Sequence, residues 1–441
     1  MTDTADRTAS DTDTDVVAEL KDWLADNWDP DLTVGEWWQR LGTSGWAVPT
    51  WSVDDFGKGL SRADGVRVQN AITAFGALPA PGGLGLLLAG PTIAVHGNAE
   101  QKERYLRDIV TGQKAWCQLF SEPGAGSDLA GLNSRAVKDG DEWIVNGQKV
   151  WTSGGHAADL GMLITRTDPD QPKHAGITYF VIDMHQPGVE VVPLREMTGR
   201  ALFNEVFLTD ARVRDDSMIG GLNNGWRVAN TTLMFELSSL GAGGGSAAAS
   251  LASPGTIAGD LARRAGDFVA SGGRRGGGGG TLFGASSKSL MKVAQGNGKA
   301  QDPSIRQKLM QLHTIGEVAR FNNLRLKAAM AAGRDIPGLP NISKLLMSQT
   351  VRLSRDVGLE IAGGYGMLHA YDGDDRASLD EATGKPYLSG ITEMALFAQG
   401  PPIYGGTDQV QRNIIGERVL GLPKEPGFDK ATPFKDLPKN G

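Results

Sequence analysis

The sequence of 441 residues has a single cysteine, Cys117, so no disulfide can close within the chain. No set of cysteine and histidine residues has the spacing of a metal site, and no metal is expected. Scarce cysteine fits a reducing compartment, which makes cytoplasmic the expected location. Long hydrophobic runs are missing too. Glycine, proline or charge interrupts each apolar stretch before the roughly 18 residues that a membrane-spanning helix needs. The opening residues, MTDTADRTASDTDTD, lack the positive and apolar regions of a secretory signal, and residues 1–14 read as a disordered tail. There is no basic excess: 44 Lys and Arg face 51 Asp and Glu, a net charge of -7, so nucleic acid is not an expected partner. What is present, 40% hydrophobic and 22% charged residues, is enough for two or three packed units and points to a folded globular enzyme.

Apolar positions Val16, Val17, Leu20, Trp23 and Leu24 recur at helical spacing, and Asp29-Pro30 stops them. Helical patterning continues to Lys114, interrupted at Pro49–Gly59 and Pro79–Gly85, which makes 15–115 a helical domain. The texture then changes. Arg135–Lys138, Glu142–Val145 and Lys149–Trp151 are short strands separated by Asp139-Gly140 and Asn146-Gly147, dipeptides suited to hairpin turns. Further β-rich runs reach Ile219, so 116–220 is expected to be a β-barrel or sandwich. Helical periodicity returns from Trp226, with Ile305, Leu309, Leu312 and Ile315 on one face and Leu346, Leu353, Val357 and Ile361 on another. The run SGGRRGGGGG at Ser271–Gly280 cannot support a regular helix, so a flexible excursion is placed at about 254–300 within a helical region 221–425. Residues 426–441 read as a closing tail. The fold class is α+β, in the order helical domain, β-domain, helical bundle.

Three segments carry chemistry. Phe120-Ser121-Glu122-Pro123-Gly124-Ala125-Gly126-Ser127-Asp128 places glycines and hydroxyls at a proline-stiffened turn, where backbone N–H groups can approach an anion or a heterocycle. By itself it reads better as an ordinary glycine turn. Gln148-Lys149-Val150-Trp151-Thr152-Ser153 offers an indole plane beside two hydroxyls, a setting for an isoalloxazine ring. In Tyr404-Gly405-Gly406-Thr407-Asp408-Gln409, Thr407 reads as the N-cap of a helix whose positive end can face a phosphate, although capping alone also accounts for it.

SEPGAGSD, NGQKVWTS, GGYG at Gly363–Gly366 and IYGGTDQVQRNIIGERVLGLP, in this order and spacing, resemble the acyl-CoA dehydrogenase family from about Val16 to Pro423. The resemblance implies an N-terminal helical domain, a middle β-domain and a C-terminal four-helix bundle. It implies FAD as cofactor, an acyl-CoA thioester as substrate, and electron-transferring flavoprotein or a similar acceptor. Phe120 and Ser121 would hydrogen-bond the flavin ring through their backbone, with Gly126 in the same loop. Ser127 would lie where ring and thioester meet, and Trp151, Thr152 and Ser153 would cover the other ring face. Gly363, Gly364, Thr407 and Gln409 correspond to contacts with the FAD pyrophosphate and adenosine, often made across subunits, so a homo- or hetero-oligomer, a dimer of dimers, is implied.

Desaturation requires a carboxylate to take the α-proton. Most of the family places it directly after the tyrosine of the IY-E-GT motif, where this chain has Gly405. A minority branch places it on the first helix after the β-domain, and Glu236 stands there, flanked by Leu233, Met234, Phe235 and Leu237. Partial desolvation raises a carboxylate's pKa toward a useful range for a base. Three departures accompany this. Leu237 replaces the usual arginine, and Glu360 replaces a common glutamine. The Arg-x-x-Phe-Gly element keeps only Phe283-Gly284, with Gly280 at the arginine position and Arg306 as a substitute. The pattern is similar to actinobacterial enzymes acting on steroid side-chain CoA esters. The competing readings are a non-catalytic partner subunit, suggested by Gly405, and a flavin oxidase or monooxygenase on the same scaffold.

Overall fold

The computed structural model describes residues 15–241, 260–270, 287–331, 334, 336–424, 426 and 431–438. Its contacts fall into two compact units. One contains Met1–Trp116, Ala157–Leu160 and Ser250–Gly276; the other contains Cys117–His156, Gly161–Ala249 and Gly277–Gly441. The expected tail at 1–14, the glycine run 271–280 and the Phe283-Gly284 pair lie outside the described residues.

The first unit is built on α1 (Asp15–Asn27), α2 (Val34–Thr43), α3 (Arg62–Phe75), α4 (Gly90–His96) and α5 (Ala99–Val110). Side-chain caps set the starts: Thr33 and Glu36 form a capping box on α2, Ser61 caps α3, and Asn98 with Gln101 caps α5. Leu20 and Leu24 of the expected stripe are buried with Trp37, Trp38 and Leu41. The two indoles donate to the carbonyls of Leu78 and Pro79 at 2.7 and 2.8 Å, so large apolar bodies are buried without stranding their N–H groups.

A short helix, Ala265–Ala270, joins the same core through the fully buried Ala265, whose N–H reaches Leu32 O at 2.8 Å. This corrects the flexible excursion expected at 254–300. The correction extends to the helix Ser287–Gly296, because Ala265 and, further on, Leu290 and Ala294 bury apolar surface that offsets the glycine-rich surroundings.

The second unit begins with β1 (Trp116–Leu119), β2 (Arg135–Asp139), β3 (Glu142–Ser153) and β4 (Leu160–Arg166), followed by β5 (Ile177–Asp183), β6 (Val189–Leu194), β7 (Phe203–Arg214) and β8 (Met218–Ile219). The sheet runs β6-β7-β3-β2-β4-β5-β8, with β1 against β4. Gly140, at φ 63°, turns β2 into β3 as expected from Asp139-Gly140. Asn146-Gly147 does not form the expected hairpin. It is an irregularity inside the 12-residue β3, which stays paired with β7 on both sides. A Cβ on Gly147 would lie 2.2 Å from Ser134 Oγ, so glycine serves close strand approach there and makes no reversal.

Helices follow: α6 (Gly225–Gly241), α7 (Ser287–Gly296), α8 (Pro303–Ala331), α9 (Leu339–Ala362), α10 (Gly373–Thr383), α11 (Leu388–Phe397) and α12 (Asp408–Ile414). Helix α9 is central and packs on α6, α7, α8 and α11. Leu290, Ile305, Leu309, Leu312, Val357, Ile361, Leu388 and Ile391 make the core; of the expected stripes Leu353 is partly buried against it, and Ile315 and Leu346 are half-buried outside it. Residues 431–438, expected as tail, are instead seated on the loop between β4 and β5, because Phe434 lies over the Arg166 guanidinium. Among the described residues no helix is long and apolar enough to cross a membrane.

Candidate functional site

The SEPGAGSD loop leaves the end of β1 and is tied to β3 by an ion pair inside the protein. Lys149 Nζ lies 2.8 Å from Glu122 Oε1, with the two side chains 0% and 6% exposed. The same ammonium donates to Phe120 O at 3.1 Å. Glu122 accepts from the backbone N–H groups of Asn133 and Ser134 at 2.6 and 3.0 Å. Burial opposes ionisation of Glu122, yet Lys149 and these donors hold its carboxyl below the usual carboxylate range. Nearly every lone pair and proton of the pair is used, the condition under which a buried ion pair is tolerated. Ser121 O accepts the Val150 N–H at 2.9 Å. Gly124, Gly126 and Ser127 are exposed, and a Cβ on either glycine would meet nothing within 4 Å.

Across from this loop, β3 carries a bulge. Lys149 pairs with Val206 and Thr152 with Asn204, so two residues oppose one. The bulge turns Trp151 outward, 57% exposed and at φ 60°, a left-handed conformation that is an outlier for a bulky residue. Phe203 supports the indole edge-on at 5.9 Å. Thr152 is fully buried, and its Oγ1 has no hydrogen-bond partner among the described residues; Asn204 Oδ1 is in the same state. An exposed, strained indole beside an orphaned hydroxyl fits a planar heterocycle that needs one ring face and a polar contact. Ser153 is exposed at the strand end.

Glu236 occupies the sheet-facing side of α6, one turn after Thr232, which is fully buried. Gln118 Nε2 on β1 lies 3.5 Å from Glu236 Oε2, two residues before Phe120. The Phe120 ring meets Tyr179 of β5 edge-on at 5.9 Å. Burial raises the Glu236 carboxyl above its ordinary value, and the Gln118 amide works against that rise. The structure thus brings Glu236 to the strand that feeds the SEPGAGSD loop.

The other expected residues lie at separate places on or beside the C-terminal helices. Thr407 is the N-cap of α12, its side chain accepting from Val410 N–H at 3.1 Å. Gln409 is exposed. Asp408 is 3% exposed and meets Lys344 at 3.2 Å as well as Arg352, so two cations surround one carboxylate. Gly363 ends α9 at φ 60° and ψ -139°, a conformation open essentially to glycine, and Gly364 beside it is exposed. Arg306 is an exposed side chain in the first turn of α8. Glu360 is paired with Lys308.

A second concavity, about 570 Å³, opens on a different face of α6 from Glu236. His174, Asn223, Asn224, Trp226, Arg227 and Asn230 line it. His174 stands edge-on to Trp226 at 4.9 Å. Sequence reasoning assigned nothing to Gln118, Glu122, Lys149 or this cleft. The one signal for the ion pair was a charge inside each of two segments otherwise read for their glycines and aromatics.

Comparison with known proteins agrees across the chain. The N-terminal, middle and C-terminal domains of acyl-CoA dehydrogenases match residues 3–113, 117–211 and 285–420. The acyl-CoA dehydrogenase IpdE1 of Mycobacterium tuberculosis (strain ATCC 25618 / H37Rv) is 32% identical over 427 residues, which span 92% of this chain and 97% of that protein. Two solved structures share the fold at 24% identity. The steroid ACAD Tcur3481-Tcur3483 has a TM-score of 0.65 over 93% of this chain and 98% of its own. The ChsE4-ChsE5 complex from Mycobacterium tuberculosis has a TM-score of 0.63 over 96% of this chain and 100% of that one. With three domains matched in order and a relative aligned nearly end to end, the chain belongs to the acyl-CoA dehydrogenase family.

Proposed function

We propose that the chain uses FAD to desaturate an acyl-CoA thioester to a trans-2-enoyl-CoA, with Glu236 as the base. The flavin, when bound, supplies the two-electron acceptor for the β-hydride. The chain's own residues do the rest. Trp151 offers a ring face, Thr152 Oγ1 a free hydrogen-bonding group, and Phe120 and Ser121 their backbone N–H groups, since both carbonyls are engaged within the protein. Ser127, exposed at the end of the loop, faces the thioester. Gly363, Gly364, Thr407 and Gln409 receive the pyrophosphate and adenosine, and the surplus cation around Asp408 favours a phosphate at that end. Arg352, in contact with Asp408, takes this role better than Arg306, which sits exposed on α8.

Glu236 accepts the α-proton on a carboxylate oxygen while the β C–H bond gives up its electron pair and the α,β double bond forms. Its setting carries this reading: burial raises the pKa of the carboxyl, and the Gln118 amide steadies its ionised form. The cleft at His174, Trp226 and Arg227 holds the carrier portion of the thioester, with rings for an adenine and a guanidinium for phosphate. Electron-transferring flavoprotein or a similar acceptor would take the electrons onward.

A bulky, steroid-derived acyl group is the substrate class to test first, after the steroid ACAD that shares the fold. The exposed Tyr365 and Met367 beside Gly363 support an oligomer, and the ChsE4-ChsE5 neighbour supports trying a hetero-oligomer as well. A panel of acyl-CoA esters, with an artificial electron acceptor and anaerobic bleaching of the flavin band, tests the reading. Protein that takes up FAD yet bleaches with no ester, alone or with a partner subunit, would overturn it.

A further inference from the structure

The loop of residues 167–176, between β4 and β5, supplies His174 to the cleft, and backbone and side-chain contacts fasten segment 432–437 to it. Phe434 N–H donates to Gln171 O at 2.9 Å and Lys435 N–H to Pro169 O at 3.0 Å. Pro433 bridges to Pro172, and Lys435 Nζ pairs with Asp170 at 2.6 Å. The Phe434 ring lies 3.6 Å from the Arg166 guanidinium.

Arg166 is the hub. It is 4% exposed, donates to Lys173 O and to Ala130 O at 2.6 Å each, and its Nε has no partner among the described residues. Burial pulls the pKa of this guanidinium down to about 10, which still leaves it charged at neutral pH, and the Phe434 face adds to the compensation from the carbonyls and from Glu122 and Asp128. One arm of the hub reaches the segment that follows the SEPGAGSD loop. The other fixes Lys173, whose ammonium meets Asp128 of that loop at 3.0 Å and whose neighbour is His174.

We infer that segment 432–437 is a strap that holds the 167–176 loop in the form that binds the carrier portion of acyl-CoA, with Phe434 as a positioning residue. This rests on the reading of the His174–Trp226–Arg227 cleft as the carrier site. Phe434 touches neither cofactor nor reacting carbons, so its effect falls on binding and not on the chemical step.

The test uses full-length holoenzyme and free coenzyme A as probe. In Phe434→Ala, amide exchange across 167–176 rises and the Kd for coenzyme A increases about tenfold, the scale of losing one desolvated cation–π contact. The kcat at saturating acyl-CoA and the flavin content stay within about twofold. Phe434→Trp restores both readouts, whereas Phe434→Leu, which keeps apolar bulk without a cation-binding face, does not. Unchanged exchange in Phe434→Ala would overturn the strap. Faster exchange with unchanged Kd would overturn its role in binding, and Arg227→Ala then separates the causes. If Arg227→Ala weakens coenzyme A binding, the strap inference alone has failed; if it has no effect, the carrier-site reading has failed and the strap's binding role falls with it.

Discussion

Helix α6 and the loop before α12 are the two places where the sequence resemblance suggests looking for a base, and here they differ in backbone as well as side chain. On α6, Glu236 is a regular helical residue, partly buried, with its carboxylate directed at Gln118 of a neighbouring strand. In the loop, Gly405 and Gly406 have φ of 61° and 77°, and both carbonyls accept from the Gln411 amide, at 3.0 and 3.3 Å. The loop is thus not a base site with its side chain removed. Its backbone has settled into a turn that resists having a Cβ restored.

The sharpest way to break this comparison is Glu236→Gln. Near-equal volume preserves the fold, and turnover drops by about two to four orders of magnitude while FAD content and acyl-CoA binding persist. Turnover near the wild-type rate would move the base elsewhere.

Next in size is the pH profile. Because burial raises the Glu236 pKa, the acid limb of kcat/KM lies above the ordinary carboxylate range, and activity falls as pH drops through it. The same shift fixes a stability sign. The folded state holds this proton more tightly than the unfolded chain, so Glu236's contribution to stability is present below the unfolded pKa and is lost as pH rises through the folded one. Glu236→Gln therefore melts no lower than wild type at pH 7, and a clear fall in Tm would show that the ionised carboxylate is a structural tie.

A third outcome concerns the loop. Gly405→Glu in the Glu236→Gln background fails to recover turnover, since a side chain at φ 61° costs roughly 1–2 kcal/mol before any placement of the carboxylate. Substantial recovery would mean that the loop relaxes readily. The smallest effect is Gly405→Ala in the wild-type background, which lowers stability by that same 1–2 kcal/mol in denaturant titration and leaves kcat within about twofold.

Much of this was legible in the sequence where periodicity or capping is local. The stripe through Ile305, Leu309 and Leu312 is buried as its spacing required, and Thr407 caps α12. Glu236 was singled out because Gly405 lacks a carboxylate, and its role is part of the proposal. What stayed hidden depends on contacts between distant positions. Asn146-Gly147 has the composition of a hairpin turn, but the requirement for glycine comes from Ser134, a dozen residues away in another segment. The glycine-rich composition around 254–300 concealed Ala265 and Leu290, whose burial is decided by partners in other helices. Lys149 looks like an ordinary charged strand residue until Glu122 is seen facing it.

That ion pair also sets how the molecule comes apart. Glu122 holds the amides of Asn133 and Ser134, while Lys149 holds the carbonyl of Phe120 from the adjoining strand. Neither tie can open alone without leaving a charge stranded in the interior, at a cost of about 3–5 kcal/mol. Residues 120–134 and β3 are therefore coupled into one cooperative unit, which opens together or not at all. The glycines of the loop give it room for a ligand, and the pair beneath them keeps that room from becoming slack.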